Sequence, residues 1–375
     1  KRRAAGTDEP CKENGYYMCE CRVTNNYFIH SVGMHFTYTG DDAEWRRRYA
    51  RELPSPGPSA EELLAELRAQ RAKRLRAPAE SLERAARIEA EYTKRHPEVY
   101  KLDAEKFFSV GFLKIVETLR AAGRRPSLIN AAVEGLKAAG LLTQIRPGLF
   151  SFEVLTEGFC DLLEEELRCF RDSGLPRTAP NTMNNHGVIL SELGFGPGLM
   201  DPFVCEYLDA IAGRLLPFQT EGLDSYRAFT VLYDLEKDGD RDLALHYDNA
   251  EVTLNVNIGG EWEGGQVAFY GLATENHKGE EPIEVELKRG HGVLHAGLDM
   301  HKALPITAGR RHNLIIWCRS SSVRNDRCPM CFLPPRVIPT NMYMHEGFTS
   351  PPCDLSSAGD GAGQKYADVD EDLYS

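Results

Sequence analysis

A chain of 375 residues is long enough for two domains, or for one large domain with an added lobe. With 42% hydrophobic and 27% charged residues, it has the composition of a globular protein rather than of a disordered one. The formal net charge of −12 argues against a general nucleic-acid binder, and no apolar run approaches the roughly 20 residues that a membrane helix needs. We therefore expect neither a nucleic-acid partner nor a membrane partner.

Residues 1–147 are predicted to form an N-terminal lobe with strands, a proline-rich hinge and helices. Residues 14–39 carry apolar or aromatic side chains at every second position, which is typical of strands. The hinge at residues 53–58 reads Leu-Pro-Ser-Pro-Gly-Pro, a composition that disfavours regular structure. Nothing in this lobe carries recognisable chemistry, so we expect it to cover or extend the domain that follows.

Helices are predicted in the second half of this lobe. Ser59 is a good N-cap with Glu62 three residues later, and the two form a capping box at the start of a long helix. Pro78 is predicted to break this helix into two, because proline lacks a backbone donor. Apolar stripes predict further helices over residues 103–142.

Residues 148–335 are predicted to form the second domain, and residues 336–375 a tail that is partly disordered because its end is rich in glycine, serine and aspartate. A strand at 149–154, a helix capped by Thr156 and a helix near 203–216 come first. Seven strands with Gly-rich turns follow, at 226–233, 243–247, 252–258, 266–270, 283–287, 292–295 and 312–319. Helices ahead of closely spaced strands indicate an α+β fold with a sandwich or barrel braced on one side.

The triplet of His246, Tyr247 and Asp248 ends one of these strands. Residues two apart in a strand face the same way, so His246 and Asp248 point into one space while Tyr247 points away. An imidazole and a carboxylate suit Fe(II), and a third ligand from another strand would complete a facial triad with open positions opposite. The triplet alone is weak evidence, but the alternating strand at 252–258 adds a polar face that can line a cavity.

His301 is the predicted third ligand, and Arg311 is predicted to bind a carboxylate. Pro305 and Gly309 predict a hairpin turn, so that the strand carrying Arg311 doubles back beside the strand carrying His301. A guanidinium is planar, keeps its charge when buried and pairs with a carboxylate through two hydrogen bonds. His295 is the main alternative ligand, but it lacks the turn and the arginine at the matching distance.

The chain has ten cysteines, and their layout does not resemble a disulfide framework. Cys328 and Cys331 form a CxxC pair, and a second group lies near the start of the chain: Cys11, Cys19 and Cys21. The two groups together could form a structural zinc site, although they lie at opposite ends of the chain. Unpaired reduced thiols are the default interpretation, and a disulfide is a further alternative. Reduced thiols favour the cytosol or nucleus as the compartment.

The region that holds the predicted ligands resembles the iron- and 2-oxoglutarate-dependent dioxygenases, particularly their prolyl and lysyl hydroxylase branch. Procollagen lysyl hydroxylases share three features with it: His-Tyr-Asp-Asn and Thr-Leu-Asn-Val-Asn-Ile within 246–258, the pair Gly264-Gly265, and the series His301, Pro305, Gly309, Arg311. One member of the family is also similar at 181–188, 224–229 and 322–331. The resemblance covers about residues 150–335, and residues 55–145 match less well.

This resemblance implies a double-stranded β-helix (jelly-roll) core with flanking helices. It implies an Fe(II) site formed by His246, Asp248 and His301. Arg311 would bind the distal carboxylate of the cosubstrate 2-oxoglutarate. Tyr233 aligns with a tyrosine that hydrogen-bonds the cosubstrate in related enzymes, with a plain core-facing role as the alternative. Dioxygen is the second cosubstrate, ascorbate dependence is typical of this branch, and its best-known members work in the secretory pathway.

The function so implied is hydroxylation of a protein side chain or a small molecule, with release of succinate and CO2. Asp248 favours this outcome, since related halogenases lose this carboxylate to make room for halide. Two alternatives belong to other classes: a metal-binding jelly-roll scaffold without turnover, and a zinc-dependent hydrolase that uses the same ligands. The complete ligand set with Arg311 favours the hydroxylase over the scaffold, and no obvious general base supports the hydrolase.

Overall fold

Two antiparallel sheets with helices packed on one side form an α+β fold, which confirms the predicted class. A computed structural model describes residues 16–23, 26–29, 32, 34–49, 53, 57–181, 183–236, 239–275, 281–340 and 347–348. The strands are β1 Tyr16–Cys19, β2 Asn26–Ile29, β3 Met34–Thr37, β4 Thr143–Arg146, β5 Leu149–Glu153, β6 Ser225–Asp234, β7 Leu243–His246, β8 Val252–Gly259, β9 Trp262–Gly264, β10 Val267–Leu272, β11 Ile283–Val285, β12 His291–Ala296, β13 Asp299–Ala303, β14 Ile306–Arg319 and β15 Val337–Thr340. The helices are α1 Asp42–Tyr49, α2 Ala60–Glu91, α3 Ala104–Phe107, α4 Val110–Ala122, α5 Pro126–Ala138, α6 Glu157–Asp172, α7 Asp209–Leu215 and α8 Ser321–Arg324.

The two main sheets face each other. The larger has the strand order β4-β5-β12-β8-β14-β6, with β9 added on β14, and the smaller has the order β11-β10-β13-β7. Their inner faces pack together, because Leu149 and Val293 of the larger sheet share a buried cluster with Val267 and Phe269 of the smaller sheet. Side chains from both sheets therefore meet in the space between them.

Helices cover the outer face of the larger sheet. Leu254 of β8 lies in one buried cluster with Leu163 of α6 and Phe112 of α4. Thr156 caps α6 as predicted, because its hydroxyl accepts a hydrogen bond from the N–H of Phe159. The alternation along β8 thus points apolar side chains at the helices and the intervening polar ones at the smaller sheet.

The first and last strands of the described chain meet each other. β1 pairs antiparallel with β15, with Cys19 opposite Val337. β15 lies within the predicted tail, 336–375, of which the structure also describes residues 336 and 347–348. The other tail residues and residues 54–56 of the predicted hinge lie outside the described residues. β4 joins the edge of the larger sheet, and the division of the chain at 147/148 stays a prediction.

Among the helices described, none combines the length and the apolar character needed to cross a membrane.

The predicted break at Pro78 is wrong, since α2 runs unbroken through its 32 residues. Its start follows the predicted capping box of Ser59 and Glu62. The first half of the helix buries Leu64 in one hydrophobic cluster, and the second half buries Ile88 in another. Because tertiary packing holds both halves, the hydrogen bond that proline removes does not end the helix.

The predicted hairpin between the strands of His301 and Arg311 is also wrong. β13, which carries His301, pairs with β10 and β7 in the smaller sheet. β14, which carries Arg311, pairs with β6, β8 and β9 in the larger sheet. The link between the two strands crosses from one sheet to the other, and its Leu304 N–H donates to the carbonyl of Gln266 rather than across a turn. The two side chains therefore approach the same space from opposite sheets.

A buried ion pair fastens α2 to the segment before β6, and it generates a stability prediction. Arg84 donates to both carboxylate oxygens of Glu192, at 2.7 Å from Nε and 2.6 Å from Nη2. The Glu192 side chain is only 6% exposed, so Arg84→Ala leaves a buried carboxylate without its cation. We expect the free energy of unfolding to fall by about 2 kcal/mol or more.

The matched control on the same helix is Arg87→Ala. It breaks the ion pair between Arg87 and Glu91, whose side chains are 56% and 51% exposed. We expect the free energy of unfolding to change by less than about 0.5 kcal/mol. Urea unfolding followed by circular dichroism measures both variants. Equal losses of stability would show that the Arg84 pair is not the buried anchor described above.

Candidate metal centre

Three predicted ligands come together between the sheets. The Nε2 atom of His246 lies 3.7 Å from Oδ1 of Asp248, and the Nε2 atom of His301 lies 3.9 Å from Oδ2. One ligand atom from each residue lies within 4.8 Å of the other two. The pairing of β13 with β7 produces this arrangement, because it sets His301 directly opposite His246. Asp248 reaches the same point from the turn that follows β7.

Backbone carbonyls fix the orientation of both imidazoles. Nδ1 of His246 donates to the carbonyl of Ala244 at 2.8 Å, and Nδ1 of His301 donates to the carbonyl of Asp299 at 2.8 Å. With the proton on Nδ1, each ring keeps a lone pair on Nε2, the atom that faces the Asp248 carboxylate. This is the tautomer that a metal-binding histidine needs.

The protonation states also suit a cation. Burial lowers the pKa of His246 to about 4, and burial lowers the pKa of His301 as well. Burial alone would raise the pKa of Asp248, but the neighbouring His301 and His246 hold that pKa below its ordinary value. At neutral pH the set therefore holds two neutral imidazoles and one carboxylate, which are the ligand forms that Fe(II) prefers.

The carboxylate of Asp248 is held by its own partners. The Thr253 hydroxyl donates to Oδ2 at 2.7 Å, and the Asp248 N–H donates to the carbonyl of Gly297 at 2.8 Å. Gly297 must be glycine here, because a Cβ atom would lie 1.9 Å from the carbonyl oxygen of Ala250. The sequence predicts Thr253 only as part of the polar face of β8 that can line a cavity, and no sequence pattern marks Gly297.

A buried ion pair braces the strand that carries His301. The Asp299 carboxylate pairs with Arg146 of β4 and accepts a hydrogen bond from the N–H of Gly271 at 3.1 Å. Burial raises the pKa of Asp299 even with Arg146 beside it. The same residue offers its carbonyl to His301, so Arg146 supports the ligand indirectly. No local pattern marked Arg146 or Asp299 in the sequence, since they lie far apart along the chain.

Arg311 lies on β14 directly opposite Tyr233 of β6. Its guanidinium carbon is 4.4 Å from the centre of the Tyr233 ring, and the residue is 3% exposed. Its Nε has no hydrogen-bond partner, and within the described residues no carboxylate pairs with this cation. Gly265 leaves room for it, because a Cβ atom there would lie 3.0 Å from Nη1 of Arg311. Burial lowers the pKa of Arg311 and raises that of Tyr233.

The side chains packed near this cation are mostly apolar, and their cluster includes a residue of the strand that carries His301. Tyr233, Ile306 and Ala303 belong to one buried cluster, and Ala303 stands two residues after His301 on β13. Asn184 is 2% exposed and lies beside Tyr233, and its Nδ2 has no hydrogen-bond partner. The segment of Asn184 contributes to the family resemblance, but no sequence pattern marks its side chain.

The alternative ligand His295 stands next to the triad and outside it. Its ring centre is 4.9 Å from that of His301, and its Nδ1 donates to the carbonyl of Ala296 at 2.8 Å. The group of mutually close ligand atoms contains His301 and not His295. His295 instead packs against Phe269, whose ring also stacks on His301.

The sequence is similar to that of known proteins over most of its length. The family model of the OGFOD2-like domain matches residues 88–220. A Xenopus tropicalis protein named 2-oxoglutarate and iron-dependent oxygenase domain-containing protein 2 is 39% identical over 340 residues, which cover 89% of this chain and 93% of that protein. The Homo sapiens protein of the same name is 37% identical over 336 residues, covering 88% and 93%. A Pseudomonas putida prolyl-4-hydroxylase structure matches 51% of this chain and 98% of its own, with 20% identity and a TM-score of 0.35.

The hydrogen bond from Thr253 to Asp248 gives the prediction of this section. Thr253→Val keeps the shape of the side chain and removes the donor to the carboxylate. We expect Fe(II) affinity about tenfold weaker, because partners that orient a metal ligand contribute to the affinity of the site. Anaerobic titration with Fe(II) measures this affinity. The matched control is Thr143→Val, which changes an exposed threonine on β4. Unchanged affinity in Thr253→Val would contradict the supporting role.

Proposed function

The chain belongs to the family of 2-oxoglutarate and iron-dependent oxygenase domain-containing protein 2, and we propose that it hydroxylates a C–H bond of a protein side chain or small molecule. It is a 2-oxoglutarate-dependent dioxygenase, which releases succinate and CO2. The observation that carries the proposal is the buried group of His246, Asp248 and His301 together with the buried cation of Arg311, which has no carboxylate partner in the part of the chain that the structure describes. The two facing sheets are, in this proposal, the two halves of a double-stranded β-helix.

His246, Asp248 and His301 hold Fe(II) in this proposal. The donor set supports the choice of metal, since two neutral imidazoles and one carboxylate leave further positions open for small ligands. The bound iron supplies the redox chemistry that activates dioxygen. The protein residues orient the ligands through Ala244 and Asp299 and keep the Asp248 carboxylate ionised.

Arg311 and Tyr233 bind 2-oxoglutarate. A carboxylate is the natural partner of a buried guanidinium, because two parallel hydrogen bonds then compensate for the loss of hydration. The ring of Tyr233 lies against the Arg311 guanidinium, and its hydroxyl is proposed as a further donor to the cosubstrate. The cluster that joins Tyr233 to Ala303 supports a cosubstrate that extends from the arginine toward the metal centre. Ascorbate is proposed as the reductant, and dioxygen as the second cosubstrate.

Cosubstrate turnover separates this proposal from a metal-binding scaffold. Purified protein mixed anaerobically with Fe(II) and 2-oxoglutarate should develop a weak visible charge-transfer band. On exposure to oxygen it should release succinate slowly even without the prime substrate. Neither a band nor succinate would favour the scaffold. A search for +16 mass shifts in proteins from cells with and without the enzyme then identifies the substrate.

We expect His301→Ala to abolish succinate release while the protein stays folded. The variant removes one of three metal ligands, and the remaining pair on and after β7 cannot hold iron in place. His291→Ala is the matched control, since His291 lies on β12 with its Nδ1 facing the carbonyl of Arg289. Succinate release and circular dichroism are measured together, and full turnover in His301→Ala would remove this residue from the ligand set.

Arg311→Ala should raise the concentration of 2-oxoglutarate needed for half-maximal succinate release by about a hundredfold, because a charge-assisted pair with a buried cation contributes about 2–3 kcal/mol. Fe(II) binding should persist. The control is Arg310→Ala, the neighbouring side chain on the other face of β14, which lies 3.5 Å from Glu164. If Arg311→Ala left the 2-oxoglutarate requirement unchanged, the assignment of the carboxylate-binding residue would be wrong.

A further inference from the structure

A second group of metal-binding side chains lies where the first and last described strands meet. It contains two cysteines from each end of the chain: Cys19, Cys21, Cys328 and Cys331. One sulfur atom from each residue lies within 4.8 Å of the other three. Sγ of Cys21 and Sγ of Cys328 are 3.6 Å apart, across 307 positions of sequence. The group shares no residue with the triad of His246, Asp248 and His301.

The backbone brings these sulfurs together through a strand pair and a tight turn. β1 and β15 pair directly, and the N–H of Glu20 donates to the carbonyl of Arg336 at 2.7 Å. The turn after Cys328 closes when the N–H of Phe332 donates to the Cys328 carbonyl at 2.9 Å. The N–H of Met330 donates to the Cys328 sulfur at 3.4 Å, an interaction that stabilises a thiolate.

The residue after Cys331 is strained in a way that fits a built site. Phe332 has φ of +56°, and among the described residues it is the one non-glycine with positive φ. An L-residue with a bulky side chain rarely adopts this conformation without surrounding constraints. Here it is held by the Cys328 carbonyl on one side and by Arg327, whose Nε donates to the Phe332 carbonyl at 3.0 Å.

We propose that the four cysteines bind one zinc ion in a closed tetrahedral site. Zinc–sulfur bonds of about 2.3 Å in tetrahedral geometry place sulfurs about 3.8 Å apart, close to the 3.6 Å between Cys21 and Cys328. A disulfide needs about 2.05 Å. The four ligand thiols release their protons to solvent as the ion binds. Cys19 and Cys328 are buried, whereas Cys21 and Cys331 are half-buried. Four thiolate ligands fill a tetrahedral site and leave no open position, as in structural rather than catalytic zinc sites.

The proposed zinc site also braces the iron centre. Phe332 follows the last zinc ligand, and its ring centre lies 5.9 Å from that of Tyr247. Tyr247 stands between His246 and Asp248 and points away from the metal. The turn that zinc closes therefore supports the outer side of the segment that supplies two of the three iron ligands.

Metal analysis of the full chain tests the proposal without relying on oxygenase activity. We expect one zinc per chain in the wild type and in His301→Ala, since that substitution changes only the other site. The double variant Cys328→Ser with Cys331→Ser should contain no zinc. Cys205→Ser, which changes an exposed cysteine away from the group, should retain it. Zinc that disappears with His301→Ala, or that remains in the double variant, would overturn the assignment.

A second measurement on the His301→Ala chain covers the case in which the double variant does not fold. Replacement of zinc by Co(II) should give the intense thiolate charge-transfer and visible bands of a tetrahedral sulfur site. Mass spectrometry under non-reducing conditions should show the four thiols free once the metal is removed. Weak octahedral Co(II) spectra, or a disulfide among these cysteines in the native chain, would refute the zinc site whatever the outcome of the iron and 2-oxoglutarate experiments.

Discussion

The burial of the Arg311 guanidinium, with no carboxylate partner among the described residues, is the constraint on which the rest of the site depends. An unpaired charge in such surroundings costs several kcal/mol, and the face of Tyr233 offsets only about 2 kcal/mol of this. The fold keeps the cation in place by the register of β14 against β6 and by the space that Gly265 leaves. The buried guanidinium is thus positioned to bind an anion. A carboxylate of 2-oxoglutarate, the proposed cosubstrate, would neutralise its charge.

The metal ligands need a comparable network, because a carboxylate and two imidazoles within a few ångströms hold one geometry only when their surroundings do. Much of that network lies in the segment after Asp248. Arg324, fully buried, donates to Oδ1 of Asn249 at 2.8 Å and to Oε2 of Glu251 at 2.8 Å. Glu251 also accepts from the N–H of Ser320 at 2.8 Å. Buried charges thus fix the backbone close to the proposed iron ligands, where a loose arrangement would reduce metal affinity.

The sequence allowed prediction of features with a local physical cause. Capping at Ser59 and Thr156 depends on neighbours three residues away, and the alternation of β8 depends on strand geometry alone. The pairing of strands was harder, because the turn chemistry of Pro305 suggested a hairpin while β13 and β14 found partners in different sheets. The same limit applied to the site. The ligand residues stand in a recognisable run, whereas Arg146 supports His301 from a distant strand that no spacing identifies.

The meeting of the first and last described strands follows the same physical logic. Bringing Cys21 and Cys328 together closes a loop across 307 positions, and the entropy lost in closing a loop grows with its length. The strand pair of β1 and β15 has only four residue pairs to oppose that loss. A metal ion that gathers ligands from both ends contributes binding energy that is also folding energy. The turn that zinc closes contacts Tyr247 through the ring of Phe332. The binding energy of zinc therefore also stabilises the segment that carries His246 and Asp248. This one aromatic contact links the stability of the two proposed metal centres.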